Sequence, residues 1–292
     1  MGTPSPGEPP PQGWLARLYE PQWAGGWALA RVLFGVGCIF AHLLRLAFIE
    51  DAYASTDMVF SRAPFYMADH VVLTPTTAYG LWGAAVAGAL LLIWGGRLAK
   101  PGLLLWLVAS WLLIAQEAFN IKAYDRVITW IGLGLLLGPI GERGLTGKWR
   151  SPYGRWFLIV FYGALYGSTG WLKAMEGDSW WTGDVLAYHL VDNWFGGSAV
   201  GAWVSGQRWL YLPMQWFTLA FEALFPLAIL SRRLNPWWLL AGAAMHLGIW
   251  VLMNVGPFSF VALTAYPVLL HPEVARGLWA RAVARWPRLA RW

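Results

Sequence analysis

Charge is scarce in this chain. Only 12% of its 292 residues are Asp, Glu, Lys or Arg, and 58% are hydrophobic. A water-soluble domain carries about twice that charged fraction, so the composition excludes an ordinary soluble fold. Cysteine is nearly absent. Cys38 stands alone inside an apolar run, which excludes an intrachain disulfide, a CxxC redox centre and a thiol-driven quinone reductase. The five histidines (His42, His70, His189, His246 and His271) lack ligand spacing such as HExxH, so no metal site is read. No repeat of fixed period and no second domain is present. Residues 1–12 are proline-rich and lack both a basic n-region and a cleavage site. Residues 1–20 are therefore expected to be a disordered cytoplasmic N-terminus rather than a removable leader.

What is present is apolar sequence in blocks of about 20 residues, the length that crosses a hydrocarbon core. Eight such segments are read at about 27–48, 77–96, 101–119, 126–141, 155–172, 210–230, 236–253 and 258–270. The expected fold class is all-α, a polytopic transmembrane helical bundle occupying residues 21–272. The net charge of +6 is segregated along the chain. Arg97 and Lys100, then Arg143, Lys148 and Arg150, then Arg232 and Arg233, then Arg276, Arg281, Arg285, Arg288 and Arg291 follow alternate segments. Glu50, Asp51, Asp57 and Asp69, and later Glu176, Asp178, Asp184 and Asp192, lie in the opposite loops. The positive-inside rule then makes the arginine-rich loops and both termini cytoplasmic, in the cell (inner) membrane, and gives no reason to expect nucleic acid. Seven spans would leave one arginine cluster outside. The 23 tryptophans fit interfacial belts. Residues 49–76 and 174–209 are expected to hold short interfacial helices on the outer side, and 273–292 to form a basic amphipathic tail on the inner leaflet.

Polar side chains inside such spans are costly, and each requires a reason. Arg31 lies one turn into the first span and reads as snorkelling or pairing with helix carbonyls. His42 and Arg45 share one face near its outer end. That pair together reads as a polar wall, while Glu117 and Asn120, with Lys122, Asp125 and Arg126 just beyond, read as a solvated interfacial ion-pair cluster. Glu222 and His246 fall near mid-membrane by helical rise, and could pair with each other or with Arg31 as structural glue. Asn254 and Ser259 flank Gly256-Pro257, where a helix break exposes backbone groups. Lys173 closes the fifth span, beside an acidic, tryptophan-rich stretch from Glu176 to Asp184. Its bland reading is an interfacial anchor. Its functional reading is a buried, neutral amine acting as a general base, with Gly163, Gly167 and Gly170 turning it into the bundle.

The segment Gly170-Trp171-Leu172-Lys173-Ala174-Met175, followed by Trp180-Trp181-Thr182-Gly183-Asp184, resembles the region around the catalytic lysine of vitamin K-dependent gamma-glutamyl carboxylases. Trp27 to Gly35 is similar to that family's first span. His246 to Phe260, with Asn254, Phe258 and Ser259, is similar to its His…Gly-x-Phe-Ser stretch, and Pro267 to Glu273 also fits. On these pieces, covering residues 25 to about 275, the chain is identified as a member of the broader HTTM (horizontally transferred transmembrane) domain family. The resemblance implies that Lys173 deprotonates a reduced quinone, vitamin K hydroquinone or menaquinol. Oxygen then gives a strong base that removes a glutamate gamma-proton, and carbon dioxide adds to the carbanion. An amine is too weak a base to take a carbon-bound proton, so a quinol relay supplies the strength. Two departures stand out. The carboxylases' histidine at the start of the fourth span is replaced here by Asn120-Ile121-Lys122-Ala123-Tyr124-Asp125, and their long lumenal substrate domain is expected to be missing.

Three readings follow. The first is a carboxylase-like lyase or quinone-epoxidising membrane enzyme. Its outer-facing quinone pocket would lie between spans one, five, six and seven, with Lys173 as base. Arg31, His42, Arg45, Asn120, Lys122, Tyr124, Trp180, Trp181, Glu222, His246, Asn254, Phe258 and Ser259 would line that pocket. Its cofactor would be reduced vitamin K or menaquinol, its co-substrates O2 and CO2, and its partners membrane lipid and a glutamate-containing peptide or small molecule. The second is a non-catalytic lipid- or partner-binding scaffold. The third is a proton-coupled transporter using Glu222 and His246, which the lack of internal symmetry disfavours.

Overall fold

The structure is a computed structural model and describes residues 19–54, 73–116, 123–141 and 148–287. It is all-α apart from one two-residue antiparallel pair, β1 (Gln22–Trp23) with β2 (Trp149–Arg150). Helices α1 (Gly25–Arg45), α3 (Pro75–Trp94), α4 (Ala99–Gln116), α5 (Ala123–Leu136), α6 (Tyr153–Met175), α10 (Arg208–Leu230) and α11 (Asn235–Leu252) form the bundle. The short α2 (Ile49–Tyr53) extends α1. Between α6 and α10 lie three short helices, α7 (Asp178–Thr182), α8 (Asp184–His189) and α9 (Ala199–Ser205). After α11 the described residues form α12 (Phe258–Leu263), α13 (Tyr266–Leu269) and α14 (Pro272–Arg285).

Among the described residues, four helical stretches are long and apolar enough to cross a membrane: Gly25–Tyr53, Pro75–Trp94, Gly96–Ile114 and Arg208–Leu230. A fifth is added if Phe258–Leu269 and Pro272–Arg285, which meet at 91°, are one broken span. The expected count of eight is thus not confirmed, although each of the eight apolar segments overlaps a described helix. The reasons are local. Among the described residues helix α5 covers 14 residues, about 21 Å of rise. The last segment is split into helices of 6 and 4 residues. Helices α6 and α11 have the length, but tyrosine, glycine, tryptophan, asparagine and histidine dilute their apolar character.

The bundle is apolar on its outside as well as its inside. Leu29, Phe40, Leu90, Leu104, Trp111, Leu227, Leu240 and Leu247 all stand exposed on the long helices. Contiguous exposed apolar faces of this extent suit lipid, not water. The interior is close-packed around Phe34, Trp106, Ile131, Leu158, Tyr162, Phe221 and Phe225.

Arginines staple one end of the bundle. Arg31 donates to the carbonyls of Leu92 and Ile93 at the end of α3. There Gly95, at φ +80°, brings the backbone so close that a Cβ would meet the guanidinium at 2.5 Å. Arg155 donates to the carbonyls of Val268 (3.1 Å) and Leu269 (3.2 Å) at the end of α13. Asn235 bridges Ile229 and Leu269 and accepts from the His271 amide. Cations and amides at helix C-termini satisfy carbonyls that have no partner within the helix. These contacts fix the ends of α3, α10 and α13 and leave the opposite end of the bundle to carry the other polar groups.

The 183–206 segment at that opposite end is held by Asp192. Its carboxylate accepts from the amides of Phe195 (2.6 Å), Trp194 (2.8 Å) and Gly196 (3.4 Å), and from His189 Nδ1 (2.6 Å). The Phe195 amide above all, then the His189 ring and the other two amides, holds this carboxyl down to about 2. Because the folded value lies below the ordinary 3.8, the ionised form favours the folded loop. That contribution is fully present above about pH 4 and fades as pH falls toward 2. Exchange protection of the Trp194, Phe195 and Gly196 amides should follow this course, and protection that stays flat across this range would contradict it.

Candidate active site

Lys173 occupies the last turn of α6. It lies 18 residues beyond Arg155, about 27 Å of helical rise from the arginine-stapled end. Its Nζ donates to both carboxylate oxygens of Glu222 on α10, each at 2.8 Å. The ammonium also sits 4.8 Å from the ring centroid of Trp180. The lysine side chain is 24% exposed and that of the glutamate 9%. A carboxylate this far out of water needs a charged or hydrogen-bonding partner, and the ammonium is that partner. Glu222 therefore pairs with Lys173 rather than with His246 or Arg31, two pairings that the sequence left open.

Backbone approach makes the contact. Gly170 lies one turn before Lys173, and a Cβ there would stand 2.4 Å from the Ala223 amide nitrogen. One further turn back, a Cβ on Gly167 would meet the Pro226 ring at 2.7 Å. The small residues let α6 and α10 touch main chain to main chain. Pro226 also lacks the amide that would close on the Glu222 carbonyl, so α10 is interrupted where it presents its acid.

The tryptophan-rich stretch is tied to α10 by Gln215. Its Oε1 accepts from the Leu186 amide at 2.7 Å, and its Nε2 donates to the carbonyls of Ser179, at 3.0 Å, and Trp180. Trp216 donates to the Trp181 carbonyl at 2.9 Å, and the Trp181 indole to the Ala174 carbonyl at 3.0 Å. Trp180 is thereby fixed over the ammonium, a placement worth about 0.5–2 kcal/mol in cation–π attraction. Leu172, Met175 and Trp181, close to Lys173 and Trp180 in sequence, stand exposed.

The remaining expected site residues gather elsewhere. His246 is buried, and its Nε2 lies 2.6 Å from the Tyr166 hydroxyl, which is 3.4 Å from that of Tyr266. Phe258 packs on the same imidazole at 5.7 Å between centroids. Ser259 is buried nearby in sequence, and its hydroxyl has no hydrogen-bond partner among the described residues. On α1, His42 Nε2 accepts from the Trp106 indole at 3.1 Å and lies 3.0 Å from the Ser110 hydroxyl. An indole only donates, so that nitrogen carries the lone pair and the neutral ring holds its proton on Nδ1. Arg45 makes a two-pronged pair with Asp125 at 2.8 and 2.6 Å, and stacks 5.2 Å from Tyr124. Both partners of that pair are buried, so removing either alone costs about 3–5 kcal/mol. Arg31 lies at the stapled end, and its side chain bonds helix carbonyls. Asn254 is exposed and contributes a backbone amide to the Phe195 carbonyl at 2.6 Å. Asn120, Lys122 and Glu117 lie outside the described residues.

The residues expected to line one pocket fall into several groups of contacts. Lys173, Trp180 and Glu222 form one, with Trp181 at its edge. Tyr166, His246, Tyr266 and Phe258 form a second, and His42 with Arg45 belong to α1's contacts with α4 and α5. Sequence reading missed Tyr162, Tyr166, Gln215 and Trp106. Two of these were accessible: Tyr162, Tyr166, Gly170 and Lys173 follow helical spacing and mark one face of α6. Comparison with protein-family models, curated proteins and solved structures finds no match.

Proposed function

We propose that the chain is an integral membrane enzyme of the vitamin K-dependent carboxylase type. Lys173 is the base for a reduced quinone, vitamin K hydroquinone or menaquinol, with dioxygen and carbon dioxide as co-substrates. The observation that carries this reading is the Lys173–Glu222 pair, partly open and under the Trp180 ring, with Leu172, Met175 and Trp181 exposed close by in sequence. That donor set suits the quinol class. An indole face fits a flat hydrophobic ring, and the ion pair offers both a proton acceptor and a cation for the anion that forms. The quinol supplies, once deprotonated and in the presence of dioxygen, a base strong enough for a carbon-bound proton. The chain's own residues bind the ring, hold the ion pair and exclude water. In this reading the protein is a bacterial inner-membrane lyase with eight apolar segments in the bilayer, both termini cytoplasmic and the ion pair toward the outer face. The acceptor is a glutamate-containing peptide or small molecule.

The test is incubation of the purified protein with menaquinol or reduced vitamin K, dioxygen and labelled bicarbonate. Quinone turnover is expected in wild type and is lost in Lys173→Ala. No turnover in wild type, or equal turnover in the variant, removes the reading.

One observation favours the scaffold as a second reading. The same ion pair joins α6 to α10 where their backbones touch, which is what a purely structural clamp does. For the transporter reading, which used Glu222 and His246 as a proton pair, Glu222 engages Lys173 and His246 engages Tyr166.

A further inference from the structure

We infer that Glu222 is the proton store of the site: the carboxylate that empties the Lys173 ammonium so that the amine can take the quinol proton. This rests on the quinol-base reading above.

An ammonium has no lone pair and cannot act as a base. As the structure has it, Nζ donates to two carboxylate oxygens at 2.8 Å, the geometry of a charged pair. A base therefore needs somewhere to send the proton that Nζ already carries, and among the described residues Glu222 is the acceptor in reach. The step balances without a redox partner. One Nζ–H bond breaks, and its proton passes to a Glu222 oxygen. The quinol O–H then breaks, and that proton bonds to the freed lone pair on Nζ. Before the step the site holds an ammonium, a carboxylate and a neutral quinol. Afterwards it holds an ammonium, a neutral carboxylic acid and a quinolate.

Conservation of charge is the physical argument. A buried ammonium stripped of its carboxylate would be uncompensated and strongly disfavoured. Here the ammonium exchanges one anion for another, so it is never left without a counter-charge. Trp180 keeps the cation in place throughout. Gln215 holds Trp180 through its main chain, so the ring position does not depend on Glu222. Glu222 is thus a positioning residue that acts through Lys173, and Glu222→Gln should fail in a way that mere loss of a clamp would not.

The experiment uses the full chain in lipid nanodiscs with menadiol, kept anaerobic so that no turnover occurs. Binding is followed by tryptophan quenching, and protonation by infrared difference spectroscopy. Wild type is expected to gain a carboxylic-acid band on menadiol binding. Glu222→Gln should still bind menadiol but show no such band, and its aerobic turnover should fall about 10²–10⁴-fold. Glu222→Asp, which restores the acid, should recover part of both signals, which separates proton storage from misfolding. Menadiol binding without the band in wild type, a band that persists in Glu222→Gln, or full turnover by Glu222→Gln overturns the inference and leaves the Lys173 reading standing. Absence of menadiol binding and turnover in wild type removes both.

Discussion

Lys173→Arg should cut quinol turnover by about 10²–10⁴-fold while leaving the protein folded and its thermal midpoint close to that of wild type. Arginine keeps the positive charge, forms a fork that matches the two Glu222 oxygens, and still stacks on Trp180. It cannot hand over a proton near neutral pH, because its guanidinium stays protonated. The substitution therefore preserves every contact that a clamp makes and removes the one property that a base requires. Initial rates of quinol consumption, measured beside thermal unfolding of the same preparation, decide the matter. Wild-type rates in Lys173→Arg would assign the ion pair to structure, as the scaffold reading holds. A collapse of both rate and stability would point to a bulkier head group misfitting the α6–α10 contact, and Lys173→Met would then separate charge from size.

The comparison of sequence with structure divides along the distance between interacting residues. Apolar runs marked the helices because burial in lipid or protein acts on each segment by itself. The run count exceeded the four or five membrane-length helices among the described residues, in part because hydropathy does not register the break after Leu263. Lys173 and Trp180 are seven residues apart at a helix end, and their association was readable from that spacing. Glu222 lies 49 residues further on, and nothing local announces that Gly170 will admit Ala223 against its backbone. Arg31 shows another limit. Its partners are main-chain carbonyls, which every residue possesses, so no residue type points to them. Tyr166 was hidden by classification, since tyrosine counts as apolar in a hydropathy window while its hydroxyl is the group that meets His246.

The second large effect is expected at Gly170 and lies in packing. In Gly170→Ala the added methyl would sit 2.4 Å from the Ala223 amide and 2.8 Å from the Glu222 carbonyl carbon. Both are main-chain atoms inside α10, so no side-chain rotation relieves the clash and the two helices must separate. Overpacking of this kind costs about 1–3 kcal/mol when side chains can yield, and a backbone-to-backbone clash belongs at or above the top of that range. Separation also lengthens the Lys173–Glu222 contact, so proton transfer should fail along with stability. Gly163→Ala is the matched control. A Cβ at Gly163 would find nothing closer than the Pro226 Cβ at 3.9 Å, an ordinary contact, so the better helix propensity of alanine should leave stability equal or raised by up to about 1 kcal/mol. Denaturation midpoints for the two variants test whether α6 meets α10 through bare backbone at Gly170. If Gly170→Ala proves as stable and as active as Gly163→Ala, the helices are not in that register, and the contact that brings the acid to the amine is not the one described.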